Sequence, residues 1–175
     1  TRPGIVVMEH VLSILKACVT SKRDNKNQTE AVQVSLAVLY DFIIPELEHH
    51  ASNESTNEGT RSCVLAVNNV LRVLEAGDQV QQSAKLLQHR LISYTDIPSW
   101  QIVRVFRQLL LSESLQEAEE FYNNLTKRGF RFPQHEMKRA TSRSHTLRLE
   151  GKIARITAWE SFAREAEGQQ QHESS

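Results

Sequence analysis

Three observations predict an all-α chain of seven or eight helices, folded as antiparallel hairpins stacked into a short α-solenoid-like array. Apolar residues recur at helical spacing along most of the length, as in Val32, Leu36, Leu39 and Ile43, or in Leu115, Ala118, Phe121 and Leu125. Helix start and stop signals punctuate these stripes. Strand-like alternation is confined to positions 32–39, where the longer helical stripe outweighs it. Hydrophobic residues make up 39% of the 175 positions, against only 6 Gly and 4 Pro, so the chain can bury a core and is not collagenous or low-complexity.

The elements follow in order. Positions 4–19 are apolar nearly all round, with Val7, Val11, Ile14, Leu15 and Cys18 at helical spacing. The polar run 20–28 reads as a flexible loop. Thr29 with Glu30 predicts the start of a second helix, which Pro45 ends or kinks because it lacks an N–H and disfavours helical geometry at Ile44. Positions 46–59 read as a flexible insertion, Ser/Asn/Glu/Thr-rich over their second half. A third helix is predicted over 60–76, with Gly77 as its C-terminal stop and Asp78 as the cap of a fourth helix running to about Ser93. Pro98-Ser-Trp100 opens the fifth helix. Ser114-Leu-Gln-Glu117 has capping-box spacing and opens the sixth, which Gly129 closes. Positions 134–144 suggest a short basic helix, 147–166 a longer one with Trp159 and Phe162, and 167–175 a disordered tail. Residues 1–166 are thus expected as one domain. The start at Thr1 suggests a piece of a longer protein.

Several function classes are excluded or disfavoured. Lys plus Arg and Asp plus Glu number 21 each, so no global basic field attracts nucleic acid. Cys18 and Cys63 are too few for a disulfide framework or a four-cysteine zinc site, and both lie on apolar stripes. No apolar run has membrane-spanning length, and no secretory leader pattern is present, which predicts an intracellular location in nucleus or cytoplasm. Phosphate-loop, dinucleotide, zinc-protease and nucleophile-elbow motifs are all missing, so neither a catalytic role nor a cofactor is expected. His49 and His50 beside Glu46 and Glu48 diverge by about 100° per helical residue and read as a solvated helix end. The sequons at Asn27, Asn53 and Asn124 matter only in a secretory setting.

The chain also compares with itself. Val11-Leu-Ser-Ile-Leu-Lys-Ala17 parallels Val70-Leu-Arg-Val-Leu-Glu-Ala76. Phe42-Ile-Ile-Pro45, Thr95-Asp-Ile-Pro98 and Phe130-Arg-Phe-Pro133 look like three matching hairpin ends, the last two prolines 35 residues apart. Three hairpins, over 4–45, 60–98 and 99–133, would bury their apolar faces by stacking. Glu117-Ala118, Phe121, Lys127-Arg-Gly129 and Pro133 resemble the second helix and closing turn of a pentatricopeptide repeat, within the tetratricopeptide-like class. The resemblance is strongest over 99–133. It implies either a groove for protein partners or base-by-base binding of single-stranded RNA. In the RNA reading Ser99 and Arg104 stand at the contact positions, although the family usually has Asn, Ser or Thr where Arg104 falls.

Two further features bear on partners. Positions 126–155 carry nine basic residues against two acidic ones. Lys138, Arg139, Arg143, Arg148, Lys152 and Arg155 would form a basic docking face for an acidic segment or a phosphate backbone, or simply a solvated face balanced by the acidic sixth helix. Lys138-Arg-Ala-Thr-Ser142 and Arg143-Ser144 resemble sites for a basic-directed kinase, where phosphate would cut that charge. Trp100 and Trp159 are the candidate interface aromatics, with burial in the core as the competing expectation. The reading is a non-catalytic protein–protein interaction module, with single-stranded RNA binding as the alternative. The all-round apolar first helix makes self-association a further expectation.

Overall fold

The computed structural model describes residues 10–14, 16–17, 25–52, 57–112, 115–141 and 153–171. All regular structure among them is helical: α1 (Asn25–Val38), a π-helical turn (Leu39–Ile43), α2 (Ile44–Ser52), α3 (Asn57–Ala76), α4 (Val80–Leu87), α5 (Ser99–Ser112), α6 (Leu115–Lys127), α7 (Gln134–Thr141) and α8 (Ile153–Gln171). Residues 10–14 and 16–17 are also helical. None of the helices described is long and apolar enough to cross a membrane. The chain divides into two compact units, Thr1–Ile97 and Pro98–Ser175.

In the first unit α3 is the central helix, packed against α1, the π turn, α2 and α4. Cys63, Ala66, Val67, Val70, Leu71, Val73 and Leu74 are all buried, so apolar spacing covers more than one face of this helix. On α1 the buried positions are Ala31, Val32, Ser35 and Val38. Val32, Leu39 and Ile43 of the predicted stripe are buried, and only Leu36 departs, being half-buried. Ser35 takes the core position, which it tolerates because its hydroxyl donates to the Ala31 carbonyl at 2.7 Å. In the first helical segment Leu12 is fully buried but Ile14 is 63% exposed, so this segment is not enclosed on all sides. Val7, Leu15 and Cys18 lie outside the described residues.

Pro45 does not end its helix. The Ile44 N–H reaches back five residues to the Leu39 carbonyl, widening the helix just before the proline. In a regular α register the pyrrolidine ring would press on the carbonyl four residues earlier, and the π turn relieves that clash. The helix then runs on to Ser52, and α3 starts at Asn57. Most of the expected flexible loop 46–59 is therefore helical, and only 53–56 lie outside the described residues. Likewise α1 starts at Asn25 rather than Thr29, inside the expected loop 20–28.

The turn after α3 differs from expectation in a specific way. The N–H of Gln79 donates to Leu74 O at 2.8 Å and that of Asp78 to Glu75 O at 3.1 Å, a Schellman pair. Its left-handed residue is Asp78, at φ 56°, and not Gly77. Gly77 is required for space instead, because a Cβ there would lie 2.5 Å from Val32 Cγ2. Nor does Asp78 cap α4, whose preceding residue Gln79 makes no side-chain cap bond. α4 stops at Leu87, six residues before its predicted end. The Tyr94 hydroxyl donates to the Leu87 carbonyl at 3.1 Å, supplying a partner for one of the helix's last carbonyls. Ile92 and Ile97 are buried from the irregular segment that follows.

The second unit is built on aromatic packing. Ile102, Val103, Val105, Phe106, Leu109 and Leu110 bury one side of α5, and Ala118, Phe121, Tyr122 and Leu125 one side of α6. Phe106 lies within 5.2–5.5 Å, centroid to centroid, of Tyr122, Phe132, Trp159 and Phe162. Leu115, expected on the buried stripe, is 40% exposed. Gly129 closes α6 as predicted, at φ 87°, with Phe130 N–H bonded to Leu125 O at 3.0 Å and Gly129 N–H to Thr126 O at 3.0 Å. Ser114 of the expected capping box lies outside the described residues. Pro98 and Pro133 hold equivalent places, each carbonyl accepting from the N–H three residues on, Gln101 at 2.9 Å and Glu136 at 3.1 Å. Pro45 holds a different one, inside a continuous helical run. α8 continues through Gly168 to Gln171, into the segment expected to be a disordered tail.

Candidate protein-docking surfaces

The Phe106 side of α5 is core, and its opposite side is solvent-facing. Trp100 is 44% exposed and Arg104, one helical turn on, is also exposed. Residues four apart share a helix face, so an indole and a guanidinium stand together there. Trp100 is therefore not buried in the core, the competing expectation for it. Trp159 has the opposite fate. It is 4% exposed, lies 5.3 Å from Phe106, and donates its indole N–H to the Met137 carbonyl at 3.3 Å. Burial with a satisfied N–H makes Trp159 a core residue.

The Ser99 side chain is half-buried. Its hydroxyl donates to a Glu136 carboxylate oxygen at 3.1 Å, and His135 Nε2 lies 3.5 Å from the same oxygen. Ser99 and Arg104 are five residues apart on α5, and the former is held beside an anionic group. Of the predicted basic face, Lys138 and Arg139 lie on helical backbone in α7 and Arg155 in α8, with side chains outside those described. Arg143, Arg148 and Lys152 lie outside the described residues altogether. Gln134 Nε2 bonds a Glu167 carboxylate oxygen, tying α7 to α8.

The first unit has a second feature, which the sequence reading missed. Leu47 of α2, Val64 and Val67 of α3, and Leu91, Ile92, Ser93, Asp96 and Ile97 of the segment after α4 line an apolar recess of about 50 Å³. Asn68 Nδ2 fastens this segment to α3 by donating to the Asp96 carbonyl at 3.3 Å. Arg90 reaches Glu48 on α2 at 3.1 Å. Leu91 and Ile92 continue the helical spacing of α4, so their assignment to that helix hid the recess. The nearest signal in the sequence was the apolar pair ahead of Asp96-Ile-Pro98.

Other chemistry is sparse. Cys63 is a buried cysteine on α3. Among the described residues no three His, Cys, Asp or Glu side chains converge on a possible metal position. Tyr122 is wholly buried, and its hydroxyl has no hydrogen-bond partner among the described residues. Burial, and then the charge of Glu165, push its pKa up to about 12. Comparison with protein-family models, with curated proteins and with solved structures returns no match for this chain.

Proposed function

We propose that this chain is a non-catalytic protein–protein interaction module, a short array of stacked helical hairpins that engages a protein partner. The observation that carries this reading is the exposure of Trp100 beside Arg104 on α5. Trp and Arg are the residues most enriched at interface hot spots, and an indole left in water gives up burial that a partner would restore. The even charge balance fits a protein partner better than a polyanion. A second copy of the chain is one candidate, since Ile14 is exposed on the first helical segment.

The RNA-binding alternative draws on the basic run at 126–155. Against it stands Ser99, whose hydroxyl is committed to a carboxylate that would repel a phosphate backbone. Fluorescence anisotropy of labelled single-stranded RNA, at low and at physiological salt, separates the two. The interaction reading predicts no binding, or binding that vanishes with salt. Tight binding at physiological salt that falls on Arg139→Ala and Arg143→Ala would establish the alternative. Light scattering on the same sample reports whether the chain associates with itself.

A further inference from the structure

The recess in the first unit has a composition that selects its occupant. Its walls are five branched aliphatic side chains from α3 and the segment after α4, together with Leu47 of α2. Its volume of about 50 Å³ is several times the roughly 10–15 Å³ that a single water needs. That space suits the end of a Leu, Ile or Val side chain and is small for an indole. The Asp96 carboxylate lines it, and a second acceptor belongs to Asn68, which bonds the Asp96 backbone. Asp96 lines the recess, is exposed, and has no cationic partner among the described residues. Asn68 uses its Nδ2 on the Asp96 carbonyl, which leaves its buried Oδ1 with no donor. The nearby cation Arg90 is paired with Glu48 instead.

We propose that this recess is a docking site for a segment of a partner protein that inserts one branched aliphatic side chain and sets a Lys or Arg against Asp96. The inference rests on the reading of the chain as an interaction module, but it uses a different surface from Trp100. The aliphatic anchor gains by leaving water, and the basic residue gives register and specificity through the unpaired carboxylate. An acidic segment or a phosphate would meet repulsion at Asp96, and an aromatic anchor would not fit the walls.

The test is selection of peptides from a phage-displayed random library on the full chain, followed by binding measurements on the synthesised winners. Enriched peptides should carry Leu, Ile or Val with Lys or Arg within one helical turn. Asp96→Lys should weaken them by roughly tenfold or more. Val64→Phe, which fills the recess from a half-buried position, should do the same, and Glu119→Ala, at an exposed position on α6, should leave them unchanged. If Val64→Phe fails to fold, the exposed Asp96 substitution decides alone. No enrichment, or binding indifferent to both substitutions, overturns the proposal. A protein contact at position 100 that survives such a result would leave the interaction reading standing and remove only this site.

Discussion

The Ser99 hydroxyl donates a 3.1 Å hydrogen bond to the Glu136 carboxylate, joining the start of α5 to the first turn of α7. Two segments 37 residues apart in sequence are tied by a bond to a charged acceptor, at the position where the repeat resemblance places a base contact. Ser99→Ala or Glu136→Ala should each cost about 1–2 kcal/mol of stability. Neither should change RNA association. Urea denaturation and anisotropy on the same variants check both halves. An RNA affinity that falls with Ser99→Ala while stability holds would mean the hydroxyl faces a ligand after all.

Tyr122 predicts a pH dependence. Its pKa rises from 10.0 to about 12 because burial disfavours the phenolate and Glu165 adds like charge. The folded state therefore holds the proton more tightly than the unfolded one. The corresponding stability is intact below pH 10 and is lost as pH rises through about 12, amounting to about 2–3 kcal/mol at the limit. Tyr122→Phe should remove that part of the alkaline loss. Near neutrality it should leave stability within about 1 kcal/mol of the parent or raise it, because the deleted hydroxyl has no partner among the described residues to lose. Denaturation curves of parent and variant across the alkaline range give the comparison.

Gly77 predicts a coupling. An alanine there puts its methyl 2.5 Å from Val32 Cγ2, and Val32 is buried. Gly77→Ala should cost about 1–3 kcal/mol through overpacking. Combined with Val32→Ala, the two losses should fall short of their sum by about 0.5 kcal/mol or more. Additive losses in the double-mutant cycle would count against the contact. The adjacent Asp78, at φ 56°, should accept Gly without loss and reject Val at a cost of about 1–2 kcal/mol.

The two tryptophans should behave oppositely. Trp159→Ala removes a buried ring packed on Phe106 and should cost about 3–5 kcal/mol. Trp100→Ala removes a ring that is 44% exposed, so a loss near 1 kcal/mol or less is expected. A large loss at position 100 would make it structural and weaken its assignment to an interface.

Much of the helical layout was legible because the buried faces of α5 and α6 follow 3–4 spacing with little interruption, from Ile102 to Leu110 and from Ala118 to Leu125. Gly129 was legible for a local reason, since its positive φ and the two backbone bonds around it are set within one turn. The misreadings share a tertiary origin. Pro45 continues a helix because a π turn precedes it, and periodicity does not announce that adjustment. α3 does end just before Gly77, yet the need for glycine there is the proximity of Val32, 45 positions away. Leu91 and Ile92 kept helical spacing while serving as the wall of a recess. The exposure of Trp100 was equally hidden, because an aromatic at a helix start reads the same whether it is covered or bare.

Photo-crosslinking from position 100 tests the central claim most directly. A photoreactive phenylalanine analogue replaces Trp100 in the full chain expressed in cells, with the same analogue at exposed Glu119 on α6 for comparison. The account predicts a discrete protein adduct at position 100 that is absent at 119 and is lost on Arg104→Glu. Adducts to RNA alone, or the same products from both positions, would contradict it.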